Sequence, residues 1–200
     1  MTHYPGIADS QFIRGEIPMT KQEIRTMVLC KAKIAETDTV IDIGAGTGSL
    51  SVEAGLLAPR GQVYAVERVL EGTELIKQNA AKFGVHNIEV ICRTAPEALA
   101  DLPYAQVIFV GGSGGELAAI LAECDRLLLP DGRLIITAVT LETVLSSLKI
   151  VQTVSYSVEC FQMQINRLNK VGASNMFQAL NPIFIIVCTK QASCSPLIVK

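Results

Sequence analysis

Apolar runs of strand length alternate along this chain with amphipathic stretches of helix length. After a loop with Gly6, Gly15 and Pro18, Thr20-Lys21-Gln22-Glu23 predicts a capping box. A helix should run from there to about Lys33, with Ile24, Met27, Val28 and Cys30 on its buried side. Strands follow at 39–43, 62–67, 88–92, 106–110 and 133–139. Helices are predicted between them at 49–57, before Pro59, at 69–83, capped by Gly84, and at 116–128. A short proline-led helix is expected at 96–102, a turn at Pro130-Asp131-Gly132 and a further helix at 141–150.

Regular strand–helix alternation implies an α/β fold, a parallel sheet wound on both faces. Toward the end the pattern turns β-like. Residues 155–166 alternate and 182–189 form a continuous apolar run, so these two late strands should pair as a hairpin-like excursion. The layout suggests one domain over 1–190, with 1–35 an N-terminal loop and capping helix and 191–200 a frayed tail.

The chemistry is concentrated where the first strand meets three glycines spaced two apart, Asp42-Ile43-Gly44-Ala45-Gly46-Thr47-Gly48-Ser49. Such a turn lets a nucleotide lie against bare peptide groups at a helix N-terminus. A dinucleotide fingerprint wants its third small residue one place later, where Ser49 stands. Asp42 before the turn would repel a pyrophosphate. It suits a ligand with an ammonium and a sulfonium, which describes S-adenosylmethionine. The second strand ends in Glu67, 19 residues past Gly48, where a carboxylate can accept both ribose hydroxyls.

Composition narrows the classes. Half of the 200 residues are apolar, enough for a large core, yet no apolar run reaches the roughly 18 residues of a membrane span. The start, Met1-Thr2-His3-Tyr4-Pro5, carries neither part of a secretion signal. The six cysteines form no Cys-x-x-Cys pair, and Cys30, Cys92 and Cys188 lie in apolar runs as small core residues. A cytoplasmic setting fits. Two histidines offer no metal cluster. Residues 1–35 carry net charge +2, residues 160–200 carry +4 and the middle −8. The acidic middle and the 5% aromatic content disfavour a nucleic-acid surface, while the basic ends suit a polyanionic substrate.

The layout resembles a class I S-adenosylmethionine-dependent methyltransferase, whose Rossmann-like sheet has seven mostly parallel strands with the last one antiparallel. More specifically, Gly6-Ile7, Phe12-Ile13-Arg14-Gly15-Glu16, Pro18-Met19-Thr20-Lys21 and Arg25 resemble the opening of the decarboxylating precorrin methyltransferases of cobalamin biosynthesis. So do the glycine turn, Tyr64-Ala65-Val66-Glu67-Arg68, Ala95-Pro96-Glu97-Ala98-Leu99 and Gly111-Gly112-Ser113-Gly114-Gly115. The likeness covers about residues 6–190. It implies methylation of carbon 15 of a corrin precursor, with or without cobalt, and loss of a ring acetate carboxylate.

The resemblance also implies a homotetramer and a separate subunit that methylates carbon 5. It implies S-adenosylmethionine contacts at Thr20, Asp42, Gly44, Gly46, Gly48, Glu67, Thr94, Ala95 and Gly111. Thr94 departs from the family, which usually has an acidic residue there. Substrate contacts are expected at Arg14, Lys21, Arg25, Gly112, Ser113 and Gly114, with the N-terminal segment closing over the site. Two other readings compete: a methyltransferase acting on RNA or protein, and a non-catalytic nucleotide-binding subunit. No nucleic acid and no membrane are expected as partners.

Overall fold

A computed structural model describes residues 4–192. The expected frayed tail lies outside the described residues except for 191 and 192. An N-terminal segment with a 3-10 turn at Asp9–Gln11 leads into α1 (Gln22–Ala32). Then β1 (Thr39–Ile43), α2 (Ser49–Leu57), β2 (Gln62–Glu67), α3 (Leu70–Lys82) and β3 (Ile88–Cys92) alternate. After a 3-10 turn at Glu97–Leu99 come β4 (Ala105–Val110), α4 (Leu117–Leu127), β5 (Leu128–Ala138) and α5 (Leu141–Val151). Four strands close the described chain: β6 (Tyr156–Met163), β7 (Asn166–Val171), β8 (Ser174–Ala179) and β9 (Ile183–Lys190).

The main sheet has seven strands in the order β3-β2-β1-β4-β5-β9-β6. β1 to β5 pair in parallel, and β9 runs antiparallel between β5 and β6. This is the expected methyltransferase sheet. Its strands are apolar on both sides because both faces are covered. On one face Ile41, Ile108, Leu134 and Ile136 pack with Ile120 and Leu127 of α4 and Val144 of α5. On the other, Val40, Val107, Phe109 and Ile135 pack with Ile24, Val28 and Leu29 of α1 and Leu50 of α2. Among the described residues no helix is long and apolar enough to cross a membrane.

Local differences from the sequence reading have physical causes. The capping box does not form: Lys21 is the N-cap of α1 and makes no side-chain cap bond. Glu23 turns instead to Arg167 of β7, at 2.6 Å and 3.0 Å. The helix expected at 96–102 shrinks to one 3-10 turn. The turn at 130–132 survives as an irregularity inside β5, with Asp131 at φ +61° and a register shift against β4. Cys30 and Cys92 are exposed, not core. Cys30 is out of phase with the buried Ile24, Val28 and Leu29, and Cys92 ends the edge strand β3.

The largest surprise is β7–β8. The late strands β6 and β9 do pair, as expected, but a second hairpin stands between them and forms its own two-stranded sheet. It turns at Gly172, φ +60°, and β8 is exposed along its whole length.

Candidate cofactor and substrate site

A cavity of about 770 Å³ opens at the carboxyl ends of the parallel strands, where open α/β sheets place their ligands. Six segments meet there: the N-terminal segment at 17–21, the glycine turn after β1, residues 67–69 after β2, residues 93–95 after β3, residues 111–114 after β4, and residues 137–139. The feet of the β7–β8 hairpin close the remaining side with Ile165, Ala179 and Leu180, next to Ile183.

The glycine turn is set by backbone contacts. The N–H groups of Gly44 and Ala45 donate to the Val66 carbonyl at 2.9 Å and 3.1 Å, which ties the turn to β2. Gly44 has φ +73°, and a Cβ there would lie 2.8 Å from the Gly112 nitrogen. The turns after β1 and β4 therefore touch backbone to backbone. Gly46 has φ +58°, and a Cβ there would lie 2.8 Å from the Pro18 carbonyl oxygen. Both positions require glycine on conformation and on space.

Glu67 is nearly buried, at 8% exposure. One carboxylate oxygen accepts the Gly46 N–H and the other the Val69 N–H, each at 2.9 Å. The side chain thus braces the glycine turn and keeps acceptor capacity on both oxygens. Asp42 sits behind the turn rather than in the main cavity. It reaches only a small adjoining recess shared with Thr20 and Ala45. Ser51 of α2 donates to it at 2.5 Å. Burial pushes the Asp42 carboxyl up to about 6, with the charge of Glu67 adding and the Ser51 bond opposing.

Of the other expected cofactor contacts, Thr20, Thr94, Ala95 and Gly111 line the cavity with Gly44, Gly46 and Glu67. Gly48 does not. It is the N-cap of α2, at φ +74°, packed against Ile76 of α3.

The expected substrate contacts divide. Lys21, Gly112, Ser113 and Gly114 line the cavity. Arg25 is a correction, because its side chain is fully buried away from the cavity. Its guanidinium donates to Glu53 at 2.5 Å, to Asp9 at 3.3 Å, to the Thr20 carbonyl at 2.6 Å and to the Ile7 carbonyl. Four of its five donors are spent on the protein. Arg14 is also displaced: it is exposed and outside the cavity. The preceding residue explains this, since Asn79 of α3 accepts from the Ile13 N–H at 2.7 Å and donates to its carbonyl at 3.0 Å.

Two cavity cations were not anticipated, Arg68 directly after β2 and Arg93 directly after β3. The rule that ligands lie beyond strand carboxyl ends would have found both. Glu116, at the start of α4, also lines the rim. Among the described residues no cluster of metal-ligating side chains occurs.

A parallel sheet with an antiparallel strand beside β5, a glycine turn after β1 and a pinned carboxylate after β2 together define a Rossmann-like methyltransferase. A family model described as a precorrin methyltransferase domain matches residues 11–190. The chain belongs to the precorrin methyltransferase family. It is 37% identical over 185 residues, 92% of this chain and 95% of the relative, to a cobalt-precorrin-6B C(15)-methyltransferase (decarboxylating) from Salmonella typhi. Among solved structures it is similar to a precorrin-6y C5,15-methyltransferase from Geobacter metallireducens, with TM-score 0.87 and 36% identity over 94% of this chain and 99% of that one. It is also similar to the C-terminal domain of a precorrin-6Y C5,15-methyltransferase from Rhodobacter capsulatus, with TM-score 0.84 and 27% identity over 95% and 100% of the two chains.

Proposed function

We propose that this methyltransferase acts on carbon 15 of a precorrin or cobalt-precorrin and removes the carboxylate of a ring acetate, in the building of the corrin ring. One observation carries the reading: 92% of the chain is similar to a relative whose name states that reaction. The RNA, protein and non-catalytic alternatives have only the fold in their favour.

S-adenosylmethionine is the cofactor in this reading, and the residues fit it. Gly44 and Gly46 line the cavity with bare backbone and sit tightly against Gly112 and Pro18, which holds the cavity wall together where the cofactor would lie. Glu67 retains acceptors for ribose hydroxyls, and Thr94 and Ala95 lie at the end of β3 for the adenine. When bound, the cofactor supplies an electrophilic methyl group on a good leaving group. The protein positions the reactants and excludes water; the methyl acceptor is the electron-rich macrocycle, so no strong protein base is required. In decarboxylation the carbon–carbon bond to the carboxylate breaks. Its electron pair passes into the conjugated ring, carbon dioxide leaves and solvent supplies a proton.

The reading includes a single methyltransferase domain over 1–190, a carbon-5 methyltransferase as partner and a homotetramer. The name of the Rhodobacter capsulatus structure, one domain of a C5,15 enzyme, supports the partner. Leu168, Val171, Met176 and Phe177, all exposed on the β7–β8 hairpin, support an oligomer.

The test is mass spectrometry of a corrin precursor incubated with the protein and S-adenosylmethionine. The expected product has gained one methyl and lost one carbon dioxide. A product with only the methyl added at full turnover would leave a methyltransferase and reject the decarboxylating assignment.

A further inference from the structure

Three cations line the cavity, Lys21, Arg68 and Arg93, and none of them makes a side-chain hydrogen bond or ion pair with a described residue. Arg68 differs from the others in where its head lies. It leaves the end of β2 beside Glu67, yet its guanidinium reaches the turn after β4, two strands away. A Cβ built on Gly114 would lie 2.9 Å from one guanidinium nitrogen and 3.6 Å from the central carbon. Glu67 does not hold it: its oxygens are turned to the Gly46 and Val69 N–H groups, and no hydrogen bond or ion pair joins the two side chains. The backbone N–H groups of Ser113 and Gly114 also donate to no described residue. A planar guanidinium next to free backbone donors is a carboxylate receptor.

We infer that Arg68 is a specificity-determining residue that pairs with a carboxylate of the substrate at the Gly111–Gly115 turn, where the cofactor half of the cavity meets the substrate half. The inference rests on the tetrapyrrole reading above. It also selects which carboxylate. Pairing with an arginine stabilises a carboxylate and so opposes its departure as neutral carbon dioxide. The carboxylate on Arg68 is therefore one that the product keeps. The acetate that is lost faces the apolar side of the cavity, built by Val139, Ile165, Leu180 and Ile183, where desolvation favours the neutral product.

The experiment uses the full-length protein in three forms, wild type, Arg68→Ala and Arg68→Lys, with Gly114→Ala as a fourth. Steady-state turnover of a corrin precursor should show KM raised roughly 10- to 100-fold in Arg68→Ala, with kcat little changed. Arg68→Lys should recover part of this, since it keeps the charge and loses the planar fork. Gly114→Ala should raise KM by displacing the guanidinium, and should add little on top of Arg68→Ala. Calorimetric affinity for S-adenosylmethionine should be unchanged in Arg68→Ala, and methyl gained per carbon dioxide lost should stay one to one. An unchanged KM, or a cofactor affinity weakened as much as KM rises, overturns the inference. So does a product that keeps its acetate carboxylate in Arg68→Ala, because Arg68 would then steer the leaving group. Fluorescence titration with uroporphyrin I, a stable tetrapyrrole bearing acetates and propionates, separates the two levels. If wild type neither turns over the precursor nor binds this probe, the tetrapyrrole reading itself fails. If wild type binds and Arg68→Ala binds equally well, only the role of Arg68 fails.

Discussion

Arg25 of α1 and Arg167 of β7 share one carboxylate, that of Asp9, with Arg25 on one oxygen at 3.3 Å and Arg167 on the other at 3.1 Å. Arg25 continues the chain of charges to Glu53 of α2, and Arg167 to Glu23 of α1. The N-terminal segment and the β7–β8 hairpin, which wall the cavity from two sides, are thus joined directly by the Asp9–Arg167 pair outside it. The two ends of this chain differ in strength. Arg25 and Glu53 have no exposed side-chain surface, whereas Arg167 and Glu23 are each more than a third exposed. Breaking a buried pair leaves an uncompensated charge, and exposed pairs are worth little.

Arg25→Ala should therefore lower stability by about 3–5 kcal/mol, while Arg167→Ala should cost at most about 1 kcal/mol. Urea denaturation of the two variants checks this. Equal small losses would mean that Arg25 is not the anchor of the N-terminal segment.

Removal of residues 1–18 follows from the same contacts. Glu53 accepts from the Gly6 and Ile7 N–H groups, Asn79 holds Ile13, and Phe12 is buried against Phe83. The truncated protein should lose stability as well as turnover, because Arg25 and Asn79 lose buried partners. A truncated protein that unfolds at the wild-type midpoint would show that the segment is dispensable to the fold.

Glu67→Ala should weaken S-adenosylmethionine binding roughly 10- to 100-fold, since a charged acceptor contributes about 1.5–3 kcal/mol. Glu67→Gln should lose less, because one amide oxygen still accepts from the Gly46 or the Val69 N–H. Gly46→Val should abolish binding, as its Cβ would drive into the Pro18 carbonyl. Titration calorimetry that finds wild-type affinity in Glu67→Ala would refute the ribose role.

The glycine turn, the place of Glu67 and the strand–helix alternation from β1 to β5 were legible because each depends on local sequence: an apolar run, a left-handed glycine, an acid at a strand end. Arg25 was misread for the opposite reason. Its partners Glu53 and Asp9 are far apart in sequence, and nothing local separates a buried guanidinium from one that faces a ligand. Glu23 looked like a capping residue until Arg167, 144 positions away, claimed it. The β7–β8 hairpin was missed because β8 is exposed throughout and so lacks the alternation that marks a half-buried strand.

Those exposed hairpin residues carry a prediction of their own. Phe177 is 74% exposed and stands with Leu168, Val171 and Met176, also exposed. If copies of the chain associate through this hairpin, Phe177→Lys should shift sedimentation at micromolar protein toward the monomer. A wild-type monomer under the same conditions would remove the oligomer from the proposal.

Asp42 gives the last prediction, a dependence on pH. Its folded-state value stands near 6, raised from 3.8, chiefly by burial. A raised acid binds its proton more tightly in the folded protein than in the unfolded chain. Its favourable contribution is complete below about 4 and is lost as pH rises through about 6. At neutral pH the protein therefore carries a buried charge at a cost, and Asp42→Asn removes the cost while keeping an acceptor for Ser51. The stability difference, Asp42→Asn minus wild type, should grow by on the order of 2 kcal/mol between pH 4.5 and pH 7.5. Binding should move the other way. The same carboxylate lies behind the glycine turn, and its charge favours a cationic ligand in front. S-adenosylmethionine affinity in wild type should fall as pH drops through about 6, and that fall should be absent in Asp42→Asn. Paired urea titrations and calorimetry at the two pH values test both halves. A pH-independent stability difference would show that Asp42 is not the buried charge, and a retained pH dependence of binding in Asp42→Asn would assign that titration to another group.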